Sequence, residues 1–294
     1  MGEASILSVI IPAYNEELAL KEFLPAVIEH CHNKHYHLIV VNDGSKDKTA
    51  EVLTYLKNSS KGFAIITHKV NKGYGGAIKS GVEASTTKYS ITIDADGQHL
   101  LEDIDSLLDE AQATDADMVI GNRKGQASAS MYRSFGKWII RKIASILMPL
   151  SIYDLNSGMK LYDTGLGKKY IKLCPNNMAY SDIIALIFIS QRHKVIEKPI
   201  KIQQRLAGKS TISTLTAIDT LREILNIVLL FNPMKIFVPL SILLFLGGVL
   251  WGTPIVLAGK GVSVGAMLFI ISGLIFFFLG LLAEQISLMR KQNF

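Results

Sequence analysis

The chain has 294 residues, 49% hydrophobic and 19% charged, with a formal net charge of +6. That length holds one substantial domain and an appendage, and two cysteines, Cys31 and Cys174, are too few for a disulfide framework and fit a reducing compartment. The positive balance does not mark a nucleic-acid binder, because Met118 to Tyr153 carries six Lys or Arg and no Asp or Glu beside membrane-like segments.

From the N-terminus, short apolar runs alternate with helical patterns, the signature of βα units and a mainly parallel sheet. No leader is expected, since Glu3 stands where a basic region would and Ile6–Ile11 runs straight into a strand pattern. Strands are predicted near Ile6–Pro12, His37–Asn42, Phe63–His68, Tyr89–Asp94 and Met118–Asn122. Helices are predicted between them, near Glu17–His30, Asp47–Asn58, Gly75–Ala84 and Glu102–Ala113. Arg133, Lys137 and Arg141 then recur at i, i+4 and i+8, the pattern of a basic amphipathic helix at a lipid surface. Beyond Asp154 the pattern becomes mixed, with a strand at Met159–Tyr162, a helix near Ser181–Gln191, a strand at Val195–Ile202 and an amphipathic stretch over Thr211–Phe231.

From Ile236 to Ala283 the sole ionisable side chain is Lys260. Two windows, 235–258 and 262–283, reach the roughly 20 apolar residues that cross a bilayer, and the short Gly259-Lys260-Gly261 link makes them a hairpin. Arg222 and Lys235 before it, and Arg290 and Lys291 after it, place both ends and the bulk of the chain on the cytoplasmic side. The expected organisation is a catalytic domain over 1–209, a juxtamembrane helix over 210–234 and the hairpin with a short tail over 235–294.

The sharpest local feature is Ile91-Thr92-Ile93-Asp94-Ala95-Asp96-Gly97-Gln98-His99, a buried strand running into two carboxylates two residues apart. Hard oxygen ligands of this kind suit Mg²⁺ or Mn²⁺, which are commonly held by one or two carboxylates together with substrate phosphates. Taken alone, the pair is equally a turn that caps the next helix. Three other strand ends accompany it: Val9-Ile10-Ile11-Pro12-Ala13-Tyr14-Asn15-Glu16-Glu17, Val40-Val41-Asn42-Asp43-Gly44-Ser45, and Asn71-Lys72-Gly73-Tyr74-Gly75-Gly76-Ala77, whose glycines permit close backbone approach at a helix N-terminus. In open α/β sheets, ligands gather at such ends.

Together and in this order these blocks resemble glycosyltransferase family 2, enzymes with the GT-A nucleotide-sugar fold, over roughly residues 5–210. Gly121-Asn122-Arg123, Arg133, Asp154-Leu155-Asn156-Ser157-Gly158 and Arg205-Leu206-Ala207-Gly208-Lys209-Ser210, followed by two spans, are similar to the polyprenyl-phosphate branch that includes dolichyl-phosphate mannose synthase and its bacterial undecaprenyl-phosphate relatives. The resemblance implies a nucleotide pocket of Pro12, Tyr14, Glu16, Val41, Asp43 and the Ala95 backbone, and a metal site of Asp94, Asp96 and Gln98. It implies phosphate binding by Arg123, Arg133 and Arg205, a role that suits the forked guanidinium, with Asp182 as an additional acid of the site. Asn42 stands where many members have Asp, and Thr211 where relatives often have Lys, with Lys209 a nearby candidate to substitute for it.

The activity implied is inverting transfer of one sugar from a UDP- or GDP-linked donor to an undecaprenyl or dolichyl phosphate, with a homo-oligomer, a tetramer among the options, and no nucleic acid involved. A processive polysaccharide synthase of the same fold typically carries a Gln-x-x-Arg-Trp signature, which this sequence lacks. A silent nucleotide-sugar-binding scaffold would not need both Asp94 and Asp96 with three arginines. His30, Cys31, His32, His35 and His37 crowd together without zinc-ligand spacing. Gly208-Lys209-Ser210 lacks the first glycine of a P-loop, since position 203 is Gln.

Overall fold

The computed structural model describes residues 5–60, 62–123, 152–203, 225, 228–229 and 232–292. Arg133, Arg205, Lys209, the basic amphipathic pattern and most of the juxtamembrane stretch lie outside these residues.

In the first unit, β1 (Leu7–Ala13), α1 (Glu17–Asn33), β2 (His37–Asn42), α2 (Thr49–Ser59), β3 (Phe63–Thr67), α3 (Tyr74–Ala84), β4 (Tyr89–Thr92), α4 (Leu101–Thr114) and β5 (Met118–Asn122) alternate as the sequence pattern requires. After the undescribed segment come β6 (Lys160–Asp163), α5 (Thr164–Tyr170), a short 3₁₀ turn at Ile171–Leu173, α6 (Tyr180–Ser190) and β7 (Val195–Pro199). The strands form one sheet in the order β3-β2-β1-β4-β6-β5-β7. β6 pairs antiparallel with both β4 and β5, while the other described pairings are parallel. The sheet is therefore mainly parallel, as expected.

All seven residues of β1 are buried, because it is covered on both faces, and that is why the parallel strands read as continuous apolar runs. Leu7, Val9 and Ile11 join Leu20, Leu24 and Val27 of α1, Leu53 of α2 and Ile104 and Leu107 of α4 in one core. Ile39 and Val41 pack with Ala77 of α3 on the opposite face. This three-layer arrangement leaves the carboxyl ends of β1, β2, β4 and β5 at a common edge. Because β6 runs in reverse, its amino end and the Asp154–Gly158 turn before it reach the same edge.

Three expectations shift. β4 ends at Thr92 rather than Asp94, so both carboxylates leave the sheet. β7 ends at Pro199, and Ile202 instead makes an isolated bridge with His99. Helix α5 was not predicted: Gly165 and Gly167 are poor helix formers, but the Asp163 side chain accepts from the Leu166 N–H at 2.9 Å and caps it.

The second unit contains α7 (Met234–Leu257) and α8 (Val264–Gln292). Their most apolar 18-residue stretches have mean hydropathies of 2.1 and 2.6, so both helices are long and apolar enough to cross a membrane. α8 continues nine residues past its predicted end at 283 into the polar sequence that includes Arg290 and Lys291. Small residues let the two helices approach closely: a Cβ on Gly248 would fall 2.7 Å from the Ala266 carbonyl oxygen, and one on Gly273 would fall 2.9 Å from that of Ser241. Trp251 meets Phe269 edge-on at 5.9 Å. Outward-facing Leu243, Leu250, Leu257 and Leu282 are more than half exposed, a surface suited to lipid rather than water.

Candidate active site

At the end of β1, Pro12 is buried and Tyr14 exposed. The Glu16 N–H donates to Thr49 Oγ1 at 3.0 Å, and the Asn15 N–H donates to Ser45 Oγ at 3.0 Å, so the β1 loop is tied to the β2 loop. Val41 is fully buried in the sheet. Asn42 Oδ1 accepts from the Ser45 N–H at 3.1 Å, so the residue that replaces the usual Asp shapes this turn with its amide oxygen.

Asp43 is 2% exposed. Its Oδ1 accepts from His68 Nδ1 at 2.6 Å and from the Lys72 N–H at 2.9 Å, while Oδ2 accepts from the Gly73 N–H at 2.8 Å. A carboxylate accepts about four hydrogen bonds, so three protein donors leave little capacity for a ligand. With its proton on Nδ1, His68 accepts from the Ser80 hydroxyl through Nε2, at 2.8 Å. Asp43 thus fixes the wall made by residues 71–73.

The glycines of that wall admit the chain's own backbone. A Cβ on Gly73 would fall 2.4 Å from the Asn176 carbonyl oxygen, and one on Gly75 would fall 2.4 Å from that of Pro175. The Gly76 N–H donates to the Asn176 carbonyl at 3.2 Å. The first turn of α3 is therefore covered by the 175–177 loop.

Beyond β4 the chain turns through Ala95 and Asp96, with Gly97 at φ 71°. Asp96 is 5% exposed and its Oδ1 accepts from the Gln98 N–H at 3.1 Å. Gln98 Nε2 donates to the Gln203 carbonyl at 3.4 Å, and the Gln203 N–H donates back to the Gln98 carbonyl at 2.9 Å. This pins the loop to the strand leaving β7. Ala95 is 4% exposed.

The Asp94 side chain is 34% exposed. Its Oδ1 accepts from the Tyr74 hydroxyl at 2.9 Å, and its Oδ2 lies 3.5 Å from His99 Nε2. A Cβ on Gly158 would fall 2.2 Å from Oδ2, so the absence of a side chain there lets the carboxylate pack against the Gly158 backbone. Burial pushes the Asp94 carboxyl up, but His99, the Tyr74 hydroxyl and the charge of Arg123 outweigh it and hold it below its ordinary value. Buried His99 Nδ1 is a polar atom without a hydrogen-bond partner among the described residues.

Arg123 was expected at a phosphate, and its first partner is internal. Nε donates to Asp154 Oδ2 at 2.7 Å and Nη2 to Asp154 Oδ1 at 2.8 Å, with a further bond from Nη2 to the Asn156 carbonyl at 2.9 Å. These use three of the five N–H donors a guanidinium carries, and the other two are on Nη1. The bond to Asp154 raises Arg123, and Arg123 in turn holds Asp154 below the usual carboxylate range against the effect of burial. Asp182, in the first turn of α6, is close enough for its charge to bear on both Arg123 and Lys160.

The two carboxylates of Asp94 and Asp96 and the side-chain amide oxygen of Gln98 are hard oxygen donors of the kind that suit Mg²⁺ or Mn²⁺. No group of three or more His, Cys, Asp or Glu among the described residues is placed to complete a metal shell. The remaining ligands would then come from substrate oxygens. Tyr74, His68, His99, Asp154 and Lys160 belong to this neighbourhood and were not singled out for a site role from the sequence. Their common signal is a polar residue beside a strand end, too ordinary to stand out until its partner is seen.

Residues 8–165 match the sequence profile described as Glycosyl transferase family 2, and residues 232–289 match the GtrB C-terminal hairpin. A dolichyl-phosphate beta-glucosyltransferase of Dictyostelium discoideum is 32% identical over 174 residues, 53% of this chain, and the chain spans about half, 53%, of that relative's length. An undecaprenyl-phosphate 4-deoxy-4-formamido-L-arabinose transferase of Photorhabdus laumondii is 29% identical over 301 residues, covering 96% of this chain and 88% of the relative. Among solved structures, glucosyl-3-phosphoglycerate synthase from Mycobacterium tuberculosis, in complex with Mn²⁺, UDP and phosphoglyceric acid, superposes with a TM-score of 0.60 at 15% identity, over 76% of this chain and 78% of that one. That likeness shows the GT-A fold. With the profile spanning more than half of its length and the strand-end residues arranged as described, the chain belongs to glycosyl transferase family 2.

Proposed function

We propose that this glycosyltransferase moves one sugar from a UDP- or GDP-linked donor to a polyprenyl phosphate, undecaprenyl or dolichyl, at the cytoplasmic face of a membrane, inverting the anomeric carbon. The observation that carries this reading is the joining, in one chain, of a family 2 core to a hairpin long and apolar enough to cross a bilayer. A lipid acceptor is the substrate that calls for both. The names of the Dictyostelium and Photorhabdus relatives, which act on dolichyl and undecaprenyl phosphates, support it.

In this reading residues 1–209 are catalytic, 210–234 lie along the membrane, and the hairpin within 235–294 anchors a homo-oligomer with both ends cytoplasmic. Pro12, Tyr14, Glu16, Val41 and the Ala95 backbone line the nucleotide, while Asp43 serves the pocket by fixing its wall. Asp94, Asp96 and Gln98 would hold Mg²⁺ or Mn²⁺, which when bound supplies Lewis-acid neutralisation of the departing diphosphate. Arg123, oriented by Asp154, presents Nη1 toward phosphate oxygens, and Arg133, Arg205 and Lys209 supply further positive charge. An acceptor phosphate is already anionic near neutral pH, so no strong general base is required, and Asp182 acts on the charge balance rather than as a proton acceptor.

The test is to incubate membranes containing the protein with a panel of radiolabelled UDP- and GDP-sugars and either lipid phosphate, scoring label that moves into organic solvent. One donor should give lipid-extractable label that depends on added polyprenyl phosphate and is lost with a chelator. Label appearing solely in long water-soluble polymer, or none with any donor, would sink the assignment.

A further inference from the structure

The turn Asp154–Gly158, before β6, is held differently at its two ends. At the far end the Gly158 backbone packs against the Asp94 carboxylate, and the Gly158 carbonyl accepts from Thr92 Oγ1 at 2.8 Å. The Ser157 carbonyl beside it accepts from Ser181 Oγ at 2.9 Å and from Lys160 Nζ. The near end is Asp154, whose carboxylate accepts from the Arg123 side chain and, at 3.1 Å, from the Arg123 backbone N–H. The backbone bond that closes the turn, from the Ser157 N–H to the Asp154 carbonyl, is long at 3.4 Å. The near end is therefore placed by its outside partners rather than by the turn itself.

The second of those partners is on β7. Glu197 Oε1 accepts from the Asp154 N–H at 2.7 Å, a charge-assisted bond of the stronger kind. Glu197 stands opposite Ile120 in the parallel β5–β7 pair, and the Ile200 N–H donates to the Asn122 carbonyl at 3.0 Å. Glu197 is thus locked to the strand that ends just before Arg123. From this strand pair Asp154 is held twice, by its side chain through Arg123 and by its backbone through Glu197. Without the second hold, Arg123 and Asp154 stay bonded to each other but are free to shift as a unit.

We propose that Glu197 is a positioning residue for the transfer reaction: by taking the Asp154 N–H it fixes the carboxylate that orients the Arg123 guanidinium. The inference rests on the phosphate-binding role of Arg123 in the proposed function and adds to it a carboxylate from a neighbouring strand. Glu197 acts through Asp154 and does not touch substrate.

The experiment uses the full chain in detergent or nanodiscs and has two readouts. The first is transfer to polyprenyl phosphate in a double-mutant cycle. Glu197→Ala should lower kcat/KM for the lipid phosphate about tenfold, since slight misplacement of an orienting group is costly. Glu197→Gln keeps an acceptor oxygen and should lose much less. In an Arg123→Lys background, where no fork remains to be oriented, Glu197→Ala should cost about twofold or less. A loss that persists undiminished in that background, or equal losses in Glu197→Gln and Glu197→Ala, overturns the proposal. The second readout is independent of activity: amide hydrogen exchange over residues 152–159 should quicken in Glu197→Ala and match wild type in Glu197→Gln, while β1, β2 and β3 stay as protected as in wild type. Unchanged exchange over 152–159 in Glu197→Ala also overturns it. If wild type moves no sugar to any lipid phosphate, the proposed function fails, and the exchange measurement still decides whether Glu197 anchors the turn. Should Glu197→Ala not fold, Glu197→Asp, whose shorter side chain withdraws the acceptor, takes its place in both readouts.

Discussion

Asp43 and Asp94 follow the ends of β2 and β4, the two strands that flank β1, yet they have opposite surroundings. Asp43 is 2% exposed and receives two backbone N–H groups and an imidazole. The Asp94 side chain is 34% exposed and accepts from the Tyr74 hydroxyl at 2.9 Å, with His99 Nε2 3.5 Å from its other oxygen. Both are strand-end acids followed by a turn, and the sequence makes them look alike. The difference lies in how much of each carboxylate the fold has already enclosed: Asp43, surrounded by protein donors, is a clamp, while Asp94 keeps the accessible surface that the proposed ligand role requires.

Substitution should separate the two. Asp96→Ala, or Asp94→Asn, removes charge from the proposed metal site and is expected to lower kcat/KM about 10³-fold or more, since electrostatic stabilisation of this kind is worth several kcal/mol. The thermal midpoint in detergent should stay close to wild type. Full transfer activity in Asp96→Ala would remove the carboxylate pair from the chemistry. Asp43→Ala should do the reverse, losing about 2–4 kcal/mol of stability because the Lys72 and Gly73 N–H groups and His68 lose their shared acceptor. Its donor KM should rise with the loosened wall while turnover at saturation changes much less. If Asp43→Ala were as stable as wild type and fully inactive, the clamp and ligand roles would have to be exchanged.

The parts of this contrast that the sequence carried, and the parts it did not, divide by range. Strand and helix order came from the alternation of apolar runs with periodic segments, and α7 and α8 came from a stretch with Lys260 as its one ionisable side chain. Such signals are local. The carboxylate motif was legible for the same reason, although β4 stops two residues before the predicted end and releases Asp94 into the loop.

What could not be read depends on partners far along the chain. Lys160 is an ordinary strand lysine until Ser157 and Ser181 close around it. His68 becomes a buried bridge because Asp43, 25 residues earlier, faces it. The glycines at 73 and 75 imply close approach by some backbone, and the identity of that backbone, Pro175 and Asn176, is a tertiary fact. The family resemblance makes Arg123 a phosphate ligand, whereas the structure first pairs it with Asp154 at 2.7 Å.

The smallest expected effect tests whether the floor beneath Asp94 carries charge. Burial lowers Lys160 from 10.5 to about 8, the charges of Asp182, Asp154 and Asp94 opposing that shift and Arg123 adding to it. Below about 8 the residue is protonated in both folded and unfolded chains, and its buried charge is a standing cost that the Ser157 carbonyl and the nearby carboxylates offset. Between about 8 and 10.5 the unfolded chain binds a proton that the folded chain does not, so Lys160 contributes stability that rises with pH across that window. Lys160→Met removes this contribution. Thermal midpoints taken from about pH 7 to about pH 10 should therefore shift in favour of wild type relative to the variant as pH increases, by a few degrees. Two parallel curves would mean that Lys160 keeps its proton throughout, and would make the carboxylates around it, rather than burial, the dominant influence on the site that holds Asp94.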